Sequence, residues 1–195
     1  MTEIAPLAPL PEVEAFLATR RSRPAKTLAP EPPEEALVLR LLAAAARCPD
    51  HGKLEPWRFV VIRRAAMQRV QRAAEARASA LGLGAETAEK AGRAFGQGGV
   101  IVAVLASPKP SEKIPDWEQA LSAGCVCYGL VNAALAAGWG ANWLTGPLAR
   151  DEGFLGEALG ARPGEFAAGF VHIGRETVVP AERPRPDVAA LTTWL

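Results

Sequence analysis

Three cations and a hydroxyl group lie close together near the start of the chain, where a short helix is predicted to end. Arg20, Arg21 and Ser22 are consecutive, and Lys26 follows shortly after them. A guanidinium group can bind two phosphate oxygens at once through two hydrogen bonds, and a serine hydroxyl donates a further hydrogen bond. These residues are candidates for a phosphate site, although taken alone they are also typical of a solvated run of charge.

Two further arginines lie near the other end of the chain. Arg183 and Arg185 are each followed by a proline. Proline restricts the backbone, so the two guanidinium groups form a pre-ordered cationic pair. A solvated tail is the alternative interpretation.

A polar loop, residues 49–57, precedes a predicted strand. His51 could donate a hydrogen bond to an anion or a carbonyl group, and Lys53 could stabilise negative charge on a reduced ring. Gly52 lies between them. A lone loop histidine is more often a surface or structural residue, so the loop is again only a candidate.

A glycine-rich segment, residues 138–146, follows the longest predicted helix. Glycine lets the backbone approach a flat ligand closely, and a free N–H from such a segment could bond to a ring nitrogen. A helix end that turns into a strand explains Gly138 and Gly140 without a ligand, but it does not explain Thr145 and Gly146.

The composition argues against several classes of function. With 22 Lys and Arg against 21 Asp and Glu, the formal net charge is +1, so no basic field attracts nucleic acid or an anionic membrane. Three cysteines close no disulfide framework, and two histidines without zinc spacing predict no metal site. We expect a cytoplasmic protein, since no secretory pattern is visible at the N-terminus.

The apolar patterning predicts helices interspersed with strands, an α+β fold in three layers. Between its ends, helix 34–47 has one charged interruption, Arg40, so we expect it to be buried nearly all round. Strand 100–105 is apolar throughout, as in a central strand covered on both faces. Strands are predicted at residues 57–62, 100–105, 142–144 and 167–173, and helices at residues 12–19, 34–47, 65–81, 86–95, 115–137 and 150–159.

Two segments offer apolar surface to a neighbour. The hydrophobicity of helix 115–137 is lowered by Gly124, Gly129 and several alanines, which favours a buried or interface helix over a membrane span. Residues 180–195 are proline-rich but end in Leu191 and Trp194, so this arm needs another surface to lie on.

Taken in order along the chain, these features resemble the flavin-dependent nitroreductases, in particular their compact short-chain branch. No single motif is specific, but the ordered set is, and it extends over almost the whole chain. The motifs are Arg20-Arg21-Ser22, Pro49-Asp50-His51-Gly52 with Pro56-Trp57, the strand 100–105, Trp117-Glu118-Gln119 with Ser122-Ala123-Gly124, Gly140 with Trp143 and Gly146, Gly169-Phe170 with Gly174, and Arg183-Pro184-Arg185-Pro186.

The resemblance implies one FMN-binding domain over residues 1–195, with a central mixed sheet flanked by helices. It implies a homodimer, formed through helix 115–137 and the C-terminal arm, with FMN at the interface. It also implies a ping-pong reaction in which NADH or NADPH is the transient reductant. A small-molecule acceptor, such as a nitroaromatic or a quinone, is then reduced.

The resemblance also assigns residues to the cofactor. The phosphate and ribityl contacts look like Arg20, Ser22, Arg183 and Arg185. Arg21 and Lys26 are further members of the same group. The loop around His51 would come from the neighbouring subunit, and His51 is the candidate catalytic donor. The assigned residues are Arg20, Arg21, Ser22, Lys26, His51, Gly52, Lys53, Trp143, Leu144, Thr145, Gly146, Arg183 and Arg185.

Other chemistry on the same fold stays open at this point. Relatives of this family fragment their own flavin with oxygen or remove halogen from aromatic substrates, and a protein that stores or senses FMN would need the same site. No Gly-x-Gly-x-x-Gly follows a predicted strand, so no dedicated domain holds the nicotinamide, and the choice between NADH and NADPH is not specified.

Overall fold

The computed structural model describes Ile4 and residues 6–195 of the chain. Every predicted helix and strand is present, with ends that differ by at most two residues. The helices are α1 (Pro11–Thr19), α2 (Glu35–Ala45), α3 (Arg64–Ala80), α4 (Ala85–Ala94), α5 (Asp116–Ala136) and α6 (Glu152–Leu159), and 3₁₀ turns lie at Ala25–Thr27 and His51–Lys53. The strands are β1 (Trp57–Arg63), β2 (Val100–Ala106), β3 (Gly140–Leu144) and β4 (Phe166–Gly174). Residues 1–3 and 5, on which part of the expectation about secretion rests, lie outside the described residues.

The four strands form one antiparallel sheet in the order β1-β2-β4-β3. The expectation of a mixed sheet is therefore wrong within one chain. The reason lies in the first two connections and in the position of β4. Helices α3 and α4 carry the chain out and back between β1 and β2, so these two strands run in opposite directions. The single helix α5 makes β2 and β3 parallel, but β4 lies between them and is antiparallel to both.

Helices cover both faces of the sheet, which confirms the three-layer α+β class. Helices α3, α4 and α6 pack on one face around Val70 and Phe170. Helices α2 and α5 pack on the other face around Leu130 and Ile173. The central strand β2 is buried along its whole length, as predicted. Each large apolar side chain removed from water in these two layers contributes about 2 kcal/mol.

Helix α2 is buried on one face only, so the expectation that it is buried nearly all round is wrong within one chain. Its inner face packs on α5, where a Cβ on Gly129 would lie 3.3 Å from the Cα of Ala45. Leu39 is 59% exposed, and Arg40 is exposed as well. The reason is that α2 is the outermost helix on its side of the sheet, so no described element covers its far face.

Helix α5 is the one described helix that is long and apolar enough to cross a membrane by length and composition. Its inner face lies on the sheet, where Val126 and Leu130 are fully buried. Its outer face leaves Trp117, Leu121 and Tyr128 exposed. The helix is thus buried along one side, in agreement with the prediction, and offers apolar surface along the other.

A buried ion pair fixes the end of the sheet at which β3 stops. Arg58 of β1 donates from Nε and Nη2 to the two carboxylate oxygens of Glu165, at 2.8 and 2.7 Å. The backbone N–H of Arg162 donates to the same carboxylate at 2.7 Å. The Glu165 side chain is 4% exposed. The hydrogen bonds from Arg58 lower the pKa of Glu165 to about 2.

Replacing Glu165 by Gln should destabilise the fold by about 2 kcal/mol at pH 7, because Arg58 would keep a desolvated charge without its counter-charge. The estimate is below the range for fully buried pairs, since Arg58 retains some contact with solvent. Urea unfolding of both proteins measures the difference. The matched control is Glu35→Gln, which removes an exposed pair with Arg63 and should cost less than about 1 kcal/mol.

The same pair predicts a dependence of stability on pH. The folded pKa of Glu165 lies below its usual value of 4.5, so its contribution is complete above pH 4.5 and is lost as the pH falls toward 2. The stability difference between the wild type and Glu165→Gln should therefore narrow on acidification through this window. A difference that does not change between neutral and acidic pH would show that Glu165 is not held as an ion.

Candidate functional site

The arginine patch, residues 20–22, lies against the open edge of β3. Helix α1 ends just before it, and the backbone N–H of Arg20 still donates to the Phe16 carbonyl at 2.8 Å. The backbone N–H of Arg23 donates to the Ala141 carbonyl of β3 at 2.9 Å. The patch is therefore held between α1 and the outermost strand of the sheet.

Part of the arginine patch lacks hydrogen-bond partners. Arg20 donates from Nη2 to Ser22 Oγ at 3.0 Å, and its guanidinium carbon lies 5.9 Å from the ring centre of Tyr128 on α5. The Nε atoms of Arg20 and Arg21 are buried and have no partner among the described residues; the same holds for the side-chain oxygen of Asn132, one turn beyond Tyr128. A buried polar atom without a partner costs about 1 to 3 kcal/mol. The patch therefore fits an anionic ligand that carries several oxygens.

The C-terminal segment returns to this side of the sheet. The backbone N–H of Thr177 donates to the Thr27 carbonyl at 3.2 Å, and its hydroxyl donates to the same carbonyl at 2.7 Å. Arg23 forms an ion pair with Glu176. These contacts bring the start of the C-terminal arm beside the arginine patch.

A carboxylate lies among the cations from the two chain ends. Glu182 accepts a hydrogen bond from the backbone N–H of Arg183 at 2.8 Å and lies 2.7 Å from the Arg185 guanidinium. The hydrogen bond from Arg183, with the charges of Arg185 and Arg21, lowers the pKa of Glu182. The sequence alone assigned no role to this acid, although it directly precedes Arg183. Lys26 is exposed in its 3₁₀ turn and forms no ion pair among the described residues.

The indole ring of Trp143 lies on the sheet. Its N–H donates to the Ala168 carbonyl at 3.1 Å, and a Cβ on Gly169 would overlap the ring, so glycine is required there. The side chain of Trp143 is thus fixed by a structural contact. The backbone N–H of Trp143, in contrast to the side chain, faces the open edge of β3. Residues two apart in a strand direct their N–H groups to the same side, so Trp143, like Ala141, directs its N–H to the open edge that Arg23 pairs with.

Leu144, Thr145 and Gly146 form a ledge with open space on two sides. Gly146 has a φ of +77°, a left-handed conformation that favours glycine. A cavity of about 490 Å³ lies between the ledge and α4, and one of about 530 Å³ lies between the ledge and α5. Cavities of this size hold small organic ligands.

His51 lies on a loop that packs against the first turn of α5. Its Nδ1 is 2.6 Å from Oε1 of Glu118. The carboxylate accepts, so Nδ1 carries the proton and Nε2 is left free at the surface. Gly52 has a φ of +69°, and a Cβ on it would come within 2.7 Å of the Ile114 side chain. The left-handed φ therefore favours glycine at this position, and the Ile114 side chain would have to shift to admit a Cβ.

The same loop contains two strained residues that are not glycine. Lys53 and Glu55 have φ angles of +55° and +48°, which cost of order 1 kcal/mol each. Asp50 stabilises this conformation, since its Oδ2 accepts a hydrogen bond from the backbone N–H of Glu55 at 2.8 Å. Lys53 itself is exposed. Strain of this kind is concentrated at ligand-binding and catalytic loops.

The candidate residues fall into two groups within one chain. The arginine patch, the C-terminal cations and the ledge lie along the β3 edge. His51 lines a third cavity, of about 390 Å³, at the start of α5. Leu121 borders both this cavity and the one between the ledge and α5. Within the described part of the chain, no group of three or more His, Cys, Asp or Glu residues is placed to hold a metal ion.

Several polar residues near the cavities were not assigned a role from the sequence. Glu118 was noted only as part of a motif, and its contact with His51 spans 67 positions. His172 was one histidine in an apolar strand. The structure places it on the cavity between the ledge and α4, together with Thr87 and Lys90. The only local signal for a role of His172 was its position as a polar residue within an apolar strand.

Comparison with known sequences agrees with this architecture. The family model described as "Nitroreductase family" matches residues 17–175. A "Putative NAD(P)H nitroreductase" of Haemophilus influenzae is 37% identical over 160 residues, which cover 82% of this chain and 85% of the relative. The Escherichia coli K12 protein of the same description, YdjA, is 34% identical over 159 residues, with the same coverage of both chains.

Solved structures share the fold at lower sequence identity. A nitroreductase-like family protein from Bacillus cereus superposes with a TM-score of 0.76 at 19% identity, over 100% of this chain and 98% of that one. A nitroreductase with bound FMN from Bacteroides fragilis has a TM-score of 0.73 at 19% identity, over 94% and 98% of the two chains. Because the family match spans most of the sequence and the fold agrees with it, this chain belongs to the nitroreductase family of oxidoreductases.

Proposed function

We propose that this protein is an FMN-dependent oxidoreductase that uses NADH or NADPH to reduce a small aromatic acceptor such as a nitroaromatic or a quinone. The observation that carries the proposal is the pair of buried guanidinium Nε atoms without partners, beside the open edge of β3. The whole chain would act as one FMN-binding domain. FMN in a structural neighbour and the names of the sequence relatives support the proposal.

The arginine patch would hold the FMN phosphate. Arg20, Arg21 and Ser22 supply donors whose buried members have no acceptor among the described residues. Phosphate oxygens accept such bonds and balance the charge. A phosphate here would compete with the Glu182 carboxylate for Arg185 and Arg21, so Glu182 keeps these cations neutralised and in place until the ligand arrives.

The β3 edge and the ledge would lie along the isoalloxazine ring. The open edge supplies the backbone N–H of Trp143, and the ledge has no side chain at Gly146 that would obstruct a flat ring. Bound FMN supplies the hydride chemistry, and the protein supplies position, polarity and limited access of water. One exposed face would serve the nicotinamide and the acceptor in turn, and the reaction would then follow a ping-pong order.

The exposed apolar surfaces support a homodimer with FMN at its interface. Leu121 and Tyr128 on α5 are exposed. So are Leu191 and Trp194 at the end of the arm, the latter at 91%. Apolar groups on this scale mark interaction surfaces. A second copy would cover them and bring its own His51 loop to the ledge.

The phosphate assignment predicts a selective loss of affinity. Arg20→Gln should weaken FMN binding by about 10- to 100-fold, because one charge-assisted contact to the phosphate is lost. Quenching of flavin fluorescence measures the dissociation constant. Riboflavin, which lacks the phosphate, should bind the wild type and the variant equally.

The control for this experiment is Arg72→Gln on the exposed side of α3, which removes the same charge far from the β3 edge. It should leave FMN affinity unchanged. Equal losses in the two variants would mean that Arg20 acts only through net charge, and the phosphate site would be rejected.

The redox assignment predicts that the purified protein carries FMN and that NADH or NADPH bleaches its flavin absorbance within one turnover. Anaerobic stopped-flow spectroscopy measures this step, and addition of a nitroaromatic or a quinone should restore the absorbance. A tightly held flavin that neither nicotinamide reduces would indicate storage or sensing. Loss of the flavin itself on exposure to oxygen would indicate fragmentation.

The contact between His51 and Glu118 predicts a role in the acceptor half of the reaction. Glu118 holds the proton on Nδ1, so Nε2 is oriented to donate to the acceptor when the ring is protonated. His51→Ala should slow reoxidation by the acceptor by about 100-fold and leave both FMN affinity and reduction by nicotinamide unchanged.

Glu118→Gln tests the positioning part of this role. It should slow the same step less severely than His51→Ala, because the amide oxygen can still accept the hydrogen bond from Nδ1 and hold the ring in place. If both variants reoxidise at the wild-type rate, neither residue takes part.

A further inference from the structure

The cavity between the ledge and α4 has a polar group at its base. Its walls are largely apolar, with Ala91 and Phe95 from the α4 side and Leu144 and Phe170 from the sheet. His172 of β4 also lines it and is 1% exposed. Neither the arginine patch nor the His51 loop uses this side chain.

The protonation of His172 follows from its surroundings. Its Nδ1 is 3.2 Å from the backbone carbonyl of Gln97, and a carbonyl can only accept, so Nδ1 carries the proton. Burial lowers the pKa of His172 to about 4, so the ring is neutral at physiological pH. Nε2 is therefore a hydrogen-bond acceptor.

The Nε2 edge of the ring is the one left to face the cavity. Gln97 takes the Nδ1 edge, and His172 makes no other hydrogen bond among the described residues. Nε2 is not among the buried side-chain atoms without a partner, so it keeps contact with solvent where His172 lines the cavity. A ligand group that donates a hydrogen bond would replace that solvent. The base of the cavity thus selects for a group that donates a hydrogen bond.

The remaining polar groups restrict which ligands fit the cavity. Thr87 and Lys90 line the same cavity from α4, and the Lys90 ammonium group pairs with Glu86 at 2.6 Å in solvent. Among the described residues that line this cavity, Lys90 is the one cation, and its ammonium group lies in solvent and not beside the buried His172 ring. A buried anion is therefore disfavoured. A neutral donor beside an acceptor fits best, with Nε2 of His172 below and the Thr87 hydroxyl and Lys90 ammonium above.

We propose that this cavity receives the amide edge of a planar heterocycle, an N–H beside a C=O, and that Nε2 of His172 accepts its hydrogen bond. Two ligands of the proposed reaction carry such an edge, namely the imide of the flavin ring and the carboxamide of the nicotinamide. The inference rests on the proposed function, because the cavity shares the ledge with the site assigned to the flavin. It adds a residue that discriminates between heterocycles at that site.

The first experiment compares FMN with its N3-methyl analogue, which lacks the imide N–H, by fluorescence quenching. If the flavin is the ligand, the wild type should bind FMN about 10-fold more tightly than the analogue. His172→Phe keeps the ring and loses the acceptor, so FMN affinity should fall about 10-fold and the preference over the analogue should shrink. His172→Gln keeps an acceptor and should retain part of the preference.

The second arm addresses the nicotinamide. If its carboxamide is the ligand, FMN affinity should be the same in all three proteins. His172→Phe should then weaken binding of tetrahydro-NADH, a non-reducing analogue, about 10-fold, with no effect on the acetylpyridine analogue that lacks the amide N–H. Thermal unfolding followed by circular dichroism checks that each variant is folded.

Unchanged affinities in both arms would overturn the inference. That result differs from failure of the proposed function, in which the wild type would bind neither FMN nor its analogue and both proposals would be rejected. The comparison of analogues on the wild type alone tests the inference even if His172→Phe does not fold.

Discussion

The unpaired edge of β3 is the constraint on which the rest of the site depends. An edge strand presents N–H and C=O groups that need partners, and proteins normally cover such edges or interrupt them. Here Arg23 covers the edge at Ala141, and the strand beyond it is left open. The backbone of Arg23 thereby places the arginine patch at one end of this open stretch, and the ledge lies at the other. A ligand with an anionic end and a flat end matches that arrangement.

Some glycines near this edge are needed because other residues approach their backbone closely, and not only because the chain turns there. Gly169 has no side chain because the Trp143 ring occupies that space. Gly140 is similarly crowded, since a Cβ there would come within 2.5 Å of a Leu28 methyl group. These contacts hold β3 tightly to β4 and to the segment after the arginine patch. The outermost strand is thus closely packed although one of its edges is free, and a closely packed edge can orient a cofactor with little loss of entropy on binding.

Charge is distributed differently on the two sides of the ledge. Next to the arginine patch, Arg23 pairs with Glu176, and Glu182 offsets the charges of Arg185 and Arg21. The cavity between the ledge and α4 instead has the neutral imidazole of His172 at its base. The first environment suits a phosphate and the second suits an uncharged ring edge. Under the proposed function, this difference in polarity would orient an asymmetric ligand along the ledge.

The sequence by itself determined the secondary structure and the two apolar layers, because both depend on the local spacing of apolar side chains. It also determined which residue types can bind a phosphate, since charge is a property of each residue alone. Only the tertiary structure decided the strand order, because the pairing of strands that are distant in the sequence leaves no local pattern. It also decided which face of α2 is covered. The partners of His51, Glu182 and His172 could not be predicted from the sequence for a related reason: each imidazole or carboxylate acquires its role from a neighbour brought close by folding, and no local pattern encodes that distance.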